Sequence, residues 1–174
     1  MANDFGRKVR NQIASPVYQE IFKEVELSKD SNSKSQFTLN QGGSYFAVGV
    51  GGAITGRGGD LILCDDVVKN ADEARSSTYQ NNLREWWGTT LYTRLMKDAA
   101  VVLVNTRWSD KDLASWILEN DFNGEWEVLC LPAISDDGEA LWPERYPLSA
   151  LEVIKREAGT KNFNSLYQQR PSPE

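Results

Sequence analysis

The chain has 174 residues, 40% of them hydrophobic, which is enough to bury one core of ordinary size. A formal net charge of −6 and a pI near 4.8 exclude a broadly basic surface that holds nucleic acid through many phosphate contacts, so any such contact is local or supplied by other segments. With no histidine, imidazole catalysis and His-ligated zinc are excluded, and no apolar run of about 18 residues or charged leader points to a membrane or to secretion.

Taken in order, Asp4 to Ile13 predicts a first helix, and Ser15-Pro16 is a cap followed by a proline at the first helical position, opening a short second helix to about Phe22. Leu27 to Ser35, rich in Ser, Lys, Asp and Asn, reads as a loop. Gln36 to Asn40 and Tyr45 to Val50, joined by Gln41-Gly-Gly-Ser44, predict a β-hairpin. Leu61 to Cys64 is a strand. Asn70 and Glu73 have capping-box spacing and open a long helix, roughly Ala71 to Leu95, with Leu83, Trp87, Leu91 and Leu95 on one apolar face. That face reads as core, since a base-stacking platform at Trp86 or Trp87 needs exposure and nearby positive charge.

Val101 to Val104 is the next strand, feeding a helix capped by Ser109 with Asp110 and Asp112 in its first turn and ending near Glu119. Trp126 to Leu131 predicts a further strand, and Leu148 to Ala158 and Thr160 to Gln169 predict the last helices. Cys64 and Cys130 sit in apolar strand-like runs without C-x-x-C spacing and read as two buried thiols. This alternation predicts an open α/β fold, a mostly parallel sheet with helices on its faces.

Two of the apolar runs stop abruptly on polar residues, Leu61-Ile-Leu-Cys64 on Asp65-Asp66 and Val101-Val-Leu-Val104 on Asn105-Thr106. Strands buried on both faces of a parallel sheet read as continuous apolar runs, and ligands gather at their carboxyl ends, so this pattern predicts one crevice holding Asp65, Asp66, Asn105 and Thr106. The logic resembles the Walker B and sensor strands of a P-loop ATPase, where a carboxylate holds hydrated magnesium against nucleotide phosphates and a second acid orients the attacking water. The phosphate loop itself, G-x-x-x-x-G-K-[ST], occurs nowhere in the sequence. The glycine cluster from Gly49 to Gly59 contains no Lys and precedes the acidic strand, so it reads as a turn tolerant of positive φ.

Gly51-Gly-Ala-Ile-Thr-Gly-Arg-Gly-Gly-Asp60, Asp65-Asp66, Asn105-Thr-Arg-Trp108 with Asp112-Leu113, Leu131-Pro-Ala133, Leu141-Trp-Pro-Glu144 and Leu166-Tyr-Gln-Gln169 together resemble the large terminase subunit of tailed bacteriophages. The resemblance runs from about Asp4 to Pro171. It implies a P-loop NTPase-like (ASCE/RecA-like) fold lacking its phosphate-loop strand, with 1–145 as the C-terminal portion of the ATPase domain and 146–174 as a helical linker towards a nuclease domain that the chain lacks. It implies an ATP-driven motor that packages double-stranded DNA, with Mg2+ and ATP as cofactors. The implied partners are the remaining terminase segments, the small terminase subunit and the portal protein, in a homo-oligomeric ring. The place is the host bacterial cytoplasm and transiently the portal vertex of the procapsid.

By the same resemblance Asp65 binds Mg2+, Asp66 is the catalytic carboxylate, Asn105 and Thr106 form the coupling motif that senses the γ-phosphate, and Arg57 is offered to a neighbouring subunit's nucleotide. Arg107 either faces phosphate or organises the strand-to-helix turn with Trp108. The blander readings stand beside these: Asp65 and Asp66 capping the loop before Ala71, Arg57 as a solvated loop residue, Asp60 as its partner. Three other functions remain open. One is a two-metal nuclease using Asp60, Asp65 and Asp66, although strand alternation puts Asp60 and Asp66 on one face and Asp65 on the other. The others are a non-catalytic packaging or assembly module, and an inactive prophage remnant. A missing first strand would leave the sheet with an unpaired edge that invites association.

Overall fold

In the computed structural model, which describes residues 2–54 and 56–172, the chain divides at the glycine cluster into two units, Met1–Gly56 and Arg57–Glu174. The first contains helices α1 (Ala2–Ile13) and α2 (Pro16–Ile21) and an antiparallel sheet of β1 (Leu27–Asn32), β2 (Gln36–Leu39) and β3 (Ser44–Phe46), in that order. Ser15 Oγ accepts the Tyr18 N–H at 3.3 Å and Pro16 opens α2, the predicted cap and first-turn proline. Gln19 ties the helices to the chain beyond them by donating to the carbonyls of Ile13 and Val25, at 2.8 and 2.7 Å. Phe37 is fully buried and stacks on Tyr45 with ring centroids 4.9 Å apart. α1 carries its buried Gly6 so close to the Lys34 carbonyl that a β-carbon there would overlap it.

The hairpin β2–β3 matches the expected one, with a shorter second strand. The expected loop from Leu27 to Ser35 is corrected: Leu27–Asn32 pairs with β2, Leu27 opposite Leu39 and Asn32 opposite Phe37, across an irregular register. Its Ser, Lys and Asp side chains carry little strand preference, and the neighbouring edge supplies the ladder that they do not predict.

The second unit is built on β4 (Gly59–Asp65) and β5 (Leu95–Val104), paired in parallel, followed by α5 (Leu113–Glu119), α6 (Leu148–Ala158) and α7 (Thr160–Leu166). A bulge in β5 between the partners of Gly59 and Leu61 includes Asp98, whose φ is +61°. Ile62, Cys64, Val101 and Leu103 lie on the better covered face, and Leu61, Leu63, Val102 and Val104 are exposed on the other. The fold is therefore mixed α/β with a small parallel two-stranded sheet and helices beside it.

Between the strands the expected continuous helix from Ala71 to Leu95 is broken. α3 (Ala71–Arg75) begins at the expected cap, where Asn70 Oδ1 accepts the Glu73 N–H at 2.9 Å, and the Glu73 carboxylate accepts the N–H of Lys69 at the same distance. Ser76 then leaves helical geometry with ψ 105° and caps α4 (Ser77–Trp86) through Tyr79 N–H, a local side-chain bond that competes with the helical ladder. Beyond α4 the chain widens into a π turn over Trp87–Leu91 and tightens into a 3-10 turn over Tyr92–Arg94. Gly88 lowers helical preference there, and Thr89 and Thr93 turn their hydroxyls back onto the carbonyls of Glu85 and Thr89. The apolar face survives the breaks: Leu83, Trp87 and Leu91 are buried, whereas Leu95 has become the first residue of β5.

Two further expectations are corrected. Trp126–Leu131 is not a strand, because nothing pairs with it among the described residues; Val128, Leu129 and Leu131 are exposed. Cys130 in the same run is exposed, so Cys64 is the buried thiol of the two. The last helices fall close to the expected positions, with Leu151 of α6 and Phe163 of α7 in the core of this unit. Among the described residues no helix is long and apolar enough to cross a membrane.

Candidate functional site

The parallel pairing of β4 and β5 decides which of the predicted residues meet. Asp65 lies opposite Val104 in the ladder, and the Asp66 N–H donates to the Val104 carbonyl at 3.0 Å. Asp65-Asp66 and Asn105-Thr106 thus leave adjacent strands at the same, carboxyl, end. Asp65 shares its face with the exposed Leu61 and Leu63 by strand alternation. Asp66 has left the strand with φ +45°, so the alternation that would put it on one face with Asp60 no longer applies. Val67 and Val68, both buried, anchor the turn beneath it, and the Tyr79 hydroxyl donates to the Val67 carbonyl at 2.7 Å.

Both carboxylates are exposed, and among the described residues neither accepts a hydrogen bond or forms an ion pair. Exposure removes the desolvation penalty that a buried pair would need a cation to offset. It also leaves their oxygens available. No group of three or more acidic or Cys side chains that could hold a metal exists among the described residues. Mg2+ commonly uses one or two carboxylates with waters and substrate phosphates, and this donor set fits that pattern better than an all-protein cage.

Asn105 and Thr106 are half-buried, with Asn105 Nδ2 donating to the Thr106 carbonyl at 3.0 Å, a local bond that stiffens the end of β5. Arg107 faces α5. Its Nε donates to Asp112 Oδ2 at 2.8 Å and its Nη2 to Ser115 Oγ, which fits the turn-organising reading. Asp112, almost wholly buried, also caps α5 by accepting the Ser115 N–H at 3.0 Å. The expected cap at Ser109 is thereby corrected: Asp112 does that work, while Ser109 Oγ accepts the Lys111 N–H in the preceding turn.

Arg57 and Asp60 lie at the other end of β4, a strand of seven residues that spans about 20 Å. The structure does not gather them with Asp65 and Asp66. Cys64, buried just before the acidic pair, has its thiol pushed up to about 11 by burial, which keeps it protonated and unreactive. Tyr79 is held up at about 12 by burial first and then by the Glu73 carboxylate.

No local sequence pattern reveals the roles of Gln168 and Gln169. Gln168 pairs its side-chain amide with both backbone groups of Ile134, accepting its N–H and donating to its carbonyl, each at 2.9 Å. Gln169 Oε1 accepts the Arg107 N–H at 3.0 Å. The Leu166-Tyr-Gln-Gln169 run was the available signal, but its partners are remote in sequence and no local pattern names them. No protein-family model matches the chain, and no curated protein matches it.

Proposed function

We propose that this chain is part of a phage-type large terminase, the ATP-driven motor that packages double-stranded DNA into a procapsid. The observation that carries the reading is the parallel pairing that brings Asp65-Asp66 beside Asn105-Thr106 at one end of the sheet. In that motor Asp65 holds Mg2+ on the nucleotide phosphates, Asp66 orients or deprotonates the attacking water, and Asn105 and Thr106 sense the γ-phosphate. Arg57, at the far end of β4, serves a neighbouring subunit in a ring and not its own carboxylates. ATP, Mg2+, DNA and the remaining terminase segments belong to the same proposal.

A second reading, a packaging or assembly module without turnover, is favoured by a separate observation. Parallel sheets are ordinarily covered on both faces, yet Leu61 and Leu63 are each 63% exposed and Leu129 is 83% exposed. Such surfaces fit a chain that completes its sheet with other segments. Reading the coding sequence on both sides of this chain tests the two together. An upstream phosphate loop and a downstream carboxylate-rich nuclease region support the motor; their joint absence defeats it and leaves the binding module.

A further inference from the structure

A small cavity in the second unit lies between α3, the Trp108-Ser109 turn and α7. Its walls include Arg75, Trp108, Ser109, Lys161 and Ser165, and its volume is about 40 Å³. A water needs roughly 10–15 Å³ by the same measure, so the space suits about three waters or one tetrahedral oxyanion, and a nucleoside cannot enter.

Its polar groups are unevenly satisfied. Arg75 and Lys161 both border the cavity, and neither forms an ion pair among the described residues. Ser165 is 5% exposed, and its hydroxyl has no hydrogen-bond partner among the described residues. Its oxygen is not sealed from solvent, so it is available to a ligand in the cavity. Ser109 Oγ already contacts Asp110 at 3.2 Å and the Lys111 N–H at 3.1 Å, which fixes that wall of the cavity.

We propose that this cavity binds a phosphate group, held between the Arg75 guanidinium and the Lys161 ammonium with the Ser165 hydroxyl at its base. Arginine offers a planar fork to phosphate oxygens, lysine a mobile point charge, and a serine hydroxyl completes a three-sided cradle for a dianion. None of Asp65, Asp66, Asn105 or Thr106 lines the cavity, so occupancy here is separable from any chemistry at the strand ends.

Titration of the isotopically labelled chain with inorganic phosphate at constant ionic strength, against chloride, tests the site by amide NMR. Saturable shifts at Ser109, Lys161 and Ser165 in the millimolar range are expected. Arg75→Gln with Lys161→Gln, both exposed and so tolerated by the fold, abolishes saturation, and Ser165→Ala weakens binding about fivefold. Shifts that follow ionic strength alone, or that persist in the double variant, overturn the proposal. Repeating the titration with ADP and with a short DNA duplex identifies the source: tighter binding of ADP assigns the phosphate to a free nucleotide, and tighter binding of the duplex assigns it to a nucleic-acid backbone.

Discussion

Gln169 reaches back 62 positions to accept the backbone N–H of Arg107 at 3.0 Å, while its own amide nitrogen donates to the Leu166 carbonyl at 2.9 Å. It holds this pose at φ +57°, a left-handed conformation that a non-glycine residue adopts only when its surroundings fix it. Gln169, three residues past the end of α7, therefore clasps the turn that follows Asn105 and Thr106. Gln169→Ala leaves the Arg107 N–H unpaired and should lower stability by about 1–2 kcal/mol in urea unfolding. Gln169→Glu, which keeps the acceptor, should lose less; equal loss in both variants would show that the bond contributes nothing.

Asp112 serves the same turn from the other side. It pairs with Arg107 at 2.8 Å and caps α5 from an almost wholly buried position. Asp112→Ala removes both functions and leaves the guanidinium without its counter-charge, a loss of about 2–4 kcal/mol. Asp112→Asn, which can still cap, should recover part of it. The two urea midpoints distinguish capping from ion pairing, since coincident midpoints would assign the whole effect to the lost charge.

In the first unit, Gly6 packs directly against the Lys34 carbonyl. Gly6→Ala, which in an open helix stabilises, should here destabilise by about 2 kcal/mol because the obstructing atom is backbone and cannot rotate away. Thermal unfolding followed by circular dichroism measures it; a raised midpoint would refute the close approach.

Alkaline pH should weaken the second unit. Cys64 is raised from 9.0 to about 11 and Tyr79 from 10.0 to about 12, so the folded state retains protons that the unfolded chain releases. Their stabilisation is complete below pH 9 and is lost as the pH rises from 9 to 11 for the thiol and from 10 to 12 for the phenol. Denaturant midpoints measured from pH 8 to 11 should fall, and Cys64→Ala should flatten the first part of the fall. An unchanged slope in that variant would exclude the thiol as its source.

What the sequence disclosed follows from the range of each interaction. The Ser15 and Asn70 caps, the β2–β3 hairpin and the apolar stripe of Leu83, Trp87 and Leu91 depend on neighbours within a few positions, and all were legible. The adjacency of the strand ends that carry Asp65-Asp66 and Asn105-Thr106 was legible because two apolar runs ending on polar residues imply adjacent parallel strands. β1 was hidden because its polar residues take strand form only from pairing with β2, and Trp126–Leu131 misled because an apolar run still needs a neighbour to become a strand. The break at Ser76 was hidden because the apolar stripe begins only at Leu83, beyond it, and the Asn70 cap marks the start of α3 alone. The Gln168 and Gln169 clasps join segments remote in sequence, where no local pattern carries information.

The proposed activity rests on the two carboxylates at the end of β4. Its most direct test is DNA-stimulated ATP hydrolysis by the assembled motor, with this chain supplying the acidic strand and terminase segments supplying the phosphate loop. Asp66→Asn should reduce kcat by at least about a hundredfold with little change in nucleotide affinity, and Asp65→Asn should also raise the Mg2+ requirement. Turnover equal to wild type in both variants would contradict the assignment of this site.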